Sequence, residues 1–287
     1  MKRALSLTAA ALIAAAAQAD AGYHGPIIDA HAHIRFTDDD AIKADQGKGT
    51  APIAAIDDEA GVTQSALIVI ARAGQMDKTR AQNDAVIAAA KAGNGRFYPV
   101  ASVHPADSAN AMAELDRMAA AGVKVIKLHP NTQNFDVADP AVAAVVQHCG
   151  EKGLIVLFDS YKPWDLSEMG KFLVLAVKHP QTKLILAHMG FSTFREAVMY
   201  AQLPKLGMAQ NVYFDLSAIA AIYANSPVQP ELVWTIRKVG VDHFLFGSDW
   251  PVDTPAVAEK AVRDLGFTAN EQKMIFHDNA AKLIGLR

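Results

Sequence analysis

The chain has 287 residues, 51% of them hydrophobic, with 27 basic and 30 acidic side chains and a formal net charge of −3. This is enough apolar material for one large core, and a single α/β barrel reaches this length. The near-neutral balance excludes a polybasic nucleic-acid or membrane surface. The single Cys149 excludes an intramolecular disulfide and reads as a small buried hydrophobe.

Lys2 and Arg3 open the chain, followed by an apolar run over 5–17 and small residues at Ala17, Ala19 and Ala21. That is the pattern of a secretory signal over 1–21. The run is shorter than the roughly 20 residues of a membrane span, so cleavage is expected. The mature chain over 22–287 would then be periplasmic or secreted, with no stable membrane span.

From there, short β-branched runs alternate with Ala-rich amphipathic stretches. Strands are predicted to start near Ile27, Ser65, Phe97, Val123, Leu154, Lys183, Val212 and Phe244. Their mean spacing is about 31 residues, the length of a βα unit. Helices are predicted over 53–60, 78–92, 109–121, 140–152, 166–179, 194–205, 230–239, 256–265 and 270–284. Gly61, Gly93, Gly122, Gly153 and Gly240 stand where helices stop, as C-terminal caps. Such a series admits a closed barrel or an open doubly wound sheet. No glycine-rich phosphate loop opens the first helix, and polar residues collect at the strands' carboxyl ends. Both facts favour a single-domain (β/α)8 TIM barrel. The segment 35–52 is expected to loop over the barrel mouth.

The strand ends carry the functional signal. Asp29-Ala30-His31-Ala32-His33 follows Ile27 and Ile28. With a side-chain period of two, His31 and His33 share one side of a strand, with Ile27 and Asp29. Later strands end on Arg72, His104, Lys127 and His129, Asp159, His188, Asp215 and Ser217, and Asp249. So many titratable groups on one rim cost several kcal/mol each unless paired or metal-bound. Imidazole and carboxylate suit a divalent metal, zinc ahead of manganese. Such an ion lowers the pKa of bound water towards about 7. Asp249 is placed to act as general base and His188 to stabilise a developing oxyanion. Arg72 and Lys127 are candidates for gripping an anionic substrate, and Tyr161 and Trp250 for lining its pocket. His104, His129, Asp215, Ser217 and Asn279 read as loop, orienting or structural residues. His24, His148, His179, His243 and His277 read as surface or helix residues.

The ordered set of Asp-Ala-His-Ala-His at 29–33, Lys-Leu-His-Pro at 127–130, Leu-Ala-His-Met-Gly at 186–190 and Phe-Gly-Ser-Asp-Trp-Pro at 246–251, with Asn279, Ala280 and Leu283, resembles the amidohydrolase superfamily. The resemblance is to its amidohydrolase-related branch, which includes the aminocarboxymuconate-semialdehyde decarboxylase-like enzymes. It implies a barrel, a metal held by His31, His33 and Asp249, His188 in the active site, and hydrolysis or decarboxylation of a small molecule. One departure is Val-Leu-Phe-Asp-Ser, which puts Asp159 where the family usually has histidine. Asp159 could ligate the metal in its place or pair with Lys127.

The leading expectation is an exported metal-dependent hydrolase acting on a C–N or C–O bond. The alternatives are non-oxidative decarboxylation of a small unsaturated or aromatic acid, with Arg72 or Lys127 gripping its anionic group, and a metal-free binding protein. The partner is a small molecule rather than a nucleic acid, and a homo-oligomer is the general expectation for such enzymes.

Overall fold

The computed structural model describes residues 22–41 and 47–286. The signal-like segment 1–21 and part of the 35–52 loop lie outside the described residues. Eight parallel strands pair in sequential order: β1 (Ile27–Asp29), β2 (Val62–Ile68), β3 (Phe97–Ser102), β4 (Val125–Leu128), β5 (Ile155–Asp159), β6 (Leu184–Ala187), β7 (Val212–Asp215) and β8 (Phe244–Leu245). The ring closes just beyond β1 and β8. Ala30 N–H donates to the Phe246 carbonyl at 2.9 Å, Asp249 N–H to that of His31 at 2.7 Å, and His33 N–H to that of Trp250 at 2.8 Å. This is the expected (β/α)8 barrel.

The surrounding helices are α1 (Ala51–Ala60), α2 (Met76–Ala92), α3 (Ser108–Ala120), α4 (Pro140–Glu151), α5 (Glu168–Lys178), α6 (Val198–Gln202), α7 (Ile219–Tyr223), α8 (Gln229–Val239), α9 (Pro255–Asp264) and α10 (Ala269–Lys273). Their starts follow local chemistry. Asp139 accepts from the Ala141 N–H, Thr254 from that of Val257, and Thr268 forms a capping box with Glu271. Gly61 ends α1 in the left-handed region at φ 67°. Gly93 differs from the expectation. It keeps φ −76°, and the left-handed turn passes to Asn94 and Gly95.

The helix expected over 194–205 is broken. A 3-10 stretch, His188–Ala197, leads into α6 and then into a second 3-10 turn, Leu203–Leu206. Met189, Gly190 and Phe191 have positive φ, and Pro204 cannot donate to a continuing helix.

Two apolar layers result. Phe158, Phe172, Leu186, Phe214 and Phe246 pack between strands and helices. Ile28, Val100, Val125, Leu157, Ile185 and Leu245 fill the barrel interior, with Leu283 and Ile284 packed against them. Lys127 and Asp159 follow Val125 and Leu157 at a spacing of two, as Asp215 follows Tyr213, which packs against the same interior cluster, and so they turn inward at the carboxyl end.

Candidate active site

Alternation alone would have turned His31 outward. Ile28 and Ala30 face the interior while Ile27 packs in the outer layer, which corrects the expectation that Ile27 and Asp29 share the side of His31. The chain bends at Ala30, where Asp29 Oδ1 accepts the His31 N–H at 2.9 Å and the Ser248 N–H at 3.0 Å. This Asp-anchored turn swings His31 inward and ties it to the end of β8. His188 likewise follows an inward residue, Ala187, and is turned in by φ 62°. Asp249 (φ 57°), Phe191 (φ 51°) and Ala218 (φ 57°) share this left-handed geometry. Each such residue costs about 1–3 kcal/mol, and their grouping on one rim marks a functional region. Gly247 permits the closest approach: a Cβ there would stand 2.8 Å from His31 Cβ.

The inward atoms form one cluster. His31 Nε2 lies 3.2 Å from His33 Nε2 and 3.3 Å from Asp249 Oδ1, and His33 Nε2 lies 3.5 Å from the same oxygen. Donors about 2.1 Å from a tetrahedral ion stand about 3.4 Å apart, so these residues fit a divalent ion. The donor set agrees. His31 Nδ1 bonds Asp215 Oδ2 at 2.9 Å, which leaves the Nε2 lone pair facing the cluster. His33 Nδ1, by contrast, is buried without a hydrogen-bond partner among the described residues. A second group, His31, His188 and Asp215, also brings ligand atoms together. There Asp215 is already engaged by His31, the His188 N–H and Ser217.

A family model for amidohydrolases matches residues 28–286. The chain belongs to the amidohydrolase family. A curated relative, the uncharacterized protein y4mH of Sinorhizobium fredii, is 29% identical over 131 residues. That match covers 40% of this chain and 42% of the relative, less than half its length. Three solved structures share the fold. The 5-carboxyvanillate decarboxylase of Novosphingobium aromaticivorans, complexed with manganese and 4-hydroxy-3-methoxy-5-nitrobenzoic acid, has a TM-score of 0.71 at 16% identity, covering 92% of this chain and 97% of its own. The 2,6-dihydroxybenzoate decarboxylase of Rhizobium has a TM-score of 0.70 at 15% identity, covering 92% and 99%. A structure described as a probable 2-pyrone-4,6-dicarboxylic acid hydrolase of Acinetobacter baumannii, with citric acid bound, has a TM-score of 0.66 at 17% identity, covering 90% and 99%.

In this amidohydrolase barrel Asp159 does not join the His31–His33–Asp249 group. Its Oδ2 lies 3.1 Å from His188 Nε2 and 3.4 Å from His129 Nε2. Burial opposes charge on Asp159 and Asp249, but the histidines around them hold both carboxyls well below the usual range. Burial also opposes charge on His188. Asp249 and Asp159 outweigh it and hold the ring protonated up to about 10. His33 and His129 go the other way: burial pushes them down to about 3 and about 4, so both are neutral near pH 7. Lys127 is fully buried, with Nζ 2.9 Å from His31 Nε2. Burial lowers its pKa, against Asp159, Asp249 and Asp215.

A cavity of about 530 Å³ opens above the cluster, lined in part by His129, Asp159, Tyr161, His188 and Asp249. Tyr161 lies against Phe191, ring centroids 4.4 Å apart. Trp250 packs instead against the outer-layer cluster of Ile34, Ile53, Leu67 and Phe97. Arg72 is exposed and lines a separate cleft with Asp40, Lys78 and Gln82. His104 is spent on the Gln133 carbonyl at 2.8 Å. His129, expected to orient a neighbour, borders the cavity, and its spacing of two from Lys127 is the sequence signal for that. Phe191, Ile222, Val252 and Asp253 also border it, and nothing in their local sequence marked them.

Proposed function

We propose that this chain is an exported, metal-dependent decarboxylase of a small aromatic or unsaturated acid. The cavity's polarity gradient carries this reading. A floor of histidines and carboxylates lies under a wall that includes Phe191, Ile222 and Val252. Such a pocket suits a flat acid, with its carboxylate at the floor and its ring against the wall. The decarboxylases among the similar structures, one of them holding manganese and a substituted benzoic acid, support this choice.

His31, His33 and Asp249 would hold the ion, zinc or manganese, with His188 and Asp159 as neighbouring donors. When bound, such an ion polarises an oxygen it touches and lowers the pKa of bound water. The chain's own residues supply the rest. Lys127 offsets part of the negative charge of the buried carboxylates and would balance an incoming one from below. Loss of carbon dioxide breaks the bond between the carboxyl carbon and the substrate carbon. The electron pair stays on the substrate carbon, which then needs a proton. His188 Nε2 carries one, 3.1 Å from Asp159 Oδ2, and both side chains line the cavity, so this pair can supply it to a carbon above the floor.

Hydrolysis of a C–O or C–N bond is the second reading, supported by the similar hydrolase structure and by an ionised Asp249 able to take a proton from water. Manganese- or zinc-loaded protein incubated with hydroxybenzoates should release carbon dioxide. No carbon dioxide, with oxygen from labelled water in products of an ester or lactone panel, would move the assignment to hydrolysis. No turnover and no metal uptake would leave a binding role. Export is tested separately. N-terminal sequencing of the protein recovered outside the cytoplasm should begin between Asp20 and Gly22, and a retained Met1 would remove that part.

A further inference from the structure

The described residues that line the cavity include no lysine or arginine. Among the described residues, Lys127, Lys162 and Arg72 are engaged elsewhere or lie apart. Lys127 lies beneath the floor against His31. Lys162 donates to the Phe135 carbonyl at 3.0 Å and lines a small recess with Asp165 and Glu168. Arg72 belongs to the separate cleft beside α2.

The lining instead carries Asp253, together with Val252 and the α7 residues Ala221 and Ile222. Asp253 is half-buried, and among the described residues no hydrogen bond or ion pair engages its side chain. Burial and the nearby Asp249 raise its pKa, so its negative charge is poorly compensated. A ligand group that donates a hydrogen bond would satisfy this oxygen, whereas a second carboxylate beside it would meet a like charge with no lysine or arginine in the described lining to offset it.

We infer that Asp253 is a specificity-determining residue. It selects monocarboxylates that bear a hydroxyl or amino donor within reach of its carboxylate, and it excludes dicarboxylates. The inference rests on the aromatic-acid reading above and deepens it. The discrimination arises from a polar group left unpaired by the wrong ligand, the form of selection that small pockets perform best.

The test is calorimetric binding to the manganese-loaded protein, with matched pairs of probes: 3-hydroxybenzoate against isophthalate, and 4-hydroxybenzoate against terephthalate. Wild type should bind the better hydroxybenzoate at least tenfold more tightly than its dicarboxylate partner. Asp253→Asn should narrow that ratio, and Asp253→Lys should close or invert it. Circular dichroism melts of both variants would confirm the fold. A dicarboxylate bound as tightly as its hydroxy partner by wild type, or a ratio unmoved in both variants, would overturn the inference and leave the aromatic-acid reading standing. Binding of none of the four probes to metal-loaded wild type would overturn both together.

Discussion

The two halves of the barrel interior are built from the same strands yet obey opposite rules. At the amino end, Ile28, Val100, Val125, Leu157 and Ile185 make a dry plug, closed by Leu283 and Ile284. At the carboxyl end the same strands turn in Lys127, Asp159 and Asp215, while His31, His188 and Asp249 join them through bends and left-handed residues. The lower half stabilises by removing apolar surface from water, at about 25 cal/mol per Å². The upper half gives up that gain, buries ionised groups and strains the backbone. Stability and chemistry are therefore separated along one axis, and mutations at the two ends should fail differently.

The largest effects should come from the upper half. His31→Ala and Asp249→Asn should each lower turnover by about a thousandfold or more, with melting temperatures within a few degrees of wild type. Leu157→Ala in the lower half should invert this pattern. It should cost about 2–5 kcal/mol of unfolding free energy while activity per folded molecule persists. Parallel denaturant melts and carbon dioxide release assays would check both, and a destabilised Asp249→Asn with normal turnover would break the division.

Metal content sharpens the upper half. Wild type purified without chelator should hold about one equivalent of zinc or manganese. Asp215→Asn should weaken binding about 10–100-fold by releasing the His31 tautomer. Asp159→Ala should retain the ion, because Asp159 faces His188 and His129 rather than the His31–His33–Asp249 group. Elemental analysis after dialysis reads all three.

The pH dependence of the metal-free chain comes next. His33 and His129 titrate at about 3 and about 4 when folded, against an ordinary 6.5. Below pH 6.5 the unfolded chain takes up these protons first, so stability should fall as pH drops from 6.5 through 4 to 3. His188 has the opposite sign. Its folded value of about 10 means its contribution is full below 6.5 and lost as pH rises through about 10. Asp29, raised to about 7 by burial, partly offsets the acid limb, since its folded form favours the proton between 3.8 and 7. Chemical melts across pH should peak near neutrality, and His129→Asn should flatten the acid side.

The smallest effect belongs to charge left in water. Arg195 of the 3-10 stretch and Glu231 of α8 pair with both side chains about half exposed. Arg195→Ala should change stability by less than about 1 kcal/mol and leave turnover alone, as thermal melts and assays would show.

Much of this was legible in the chain alone. Apolar runs at a βα spacing determined eight strands in order, and Asp29, His31, His33, His188 and Asp249 stood out because titratable groups at strand ends are costly without a purpose. What the tertiary structure decided was direction. Strand alternation predicts a face only while the backbone stays extended, and the bend at Ala30 and the left-handed turn at His188 override it. Barrel closure put Asp215 behind His31, placed Asp159 between His188 and His129, drew Lys127 beneath His31 and left Arg72 outside. The cavity wall, with Asp253 and no lysine or arginine among its described residues, was illegible for the same reason. It is assembled from loops after five different strands, and their convergence is a property of the closed ring, not of any local segment.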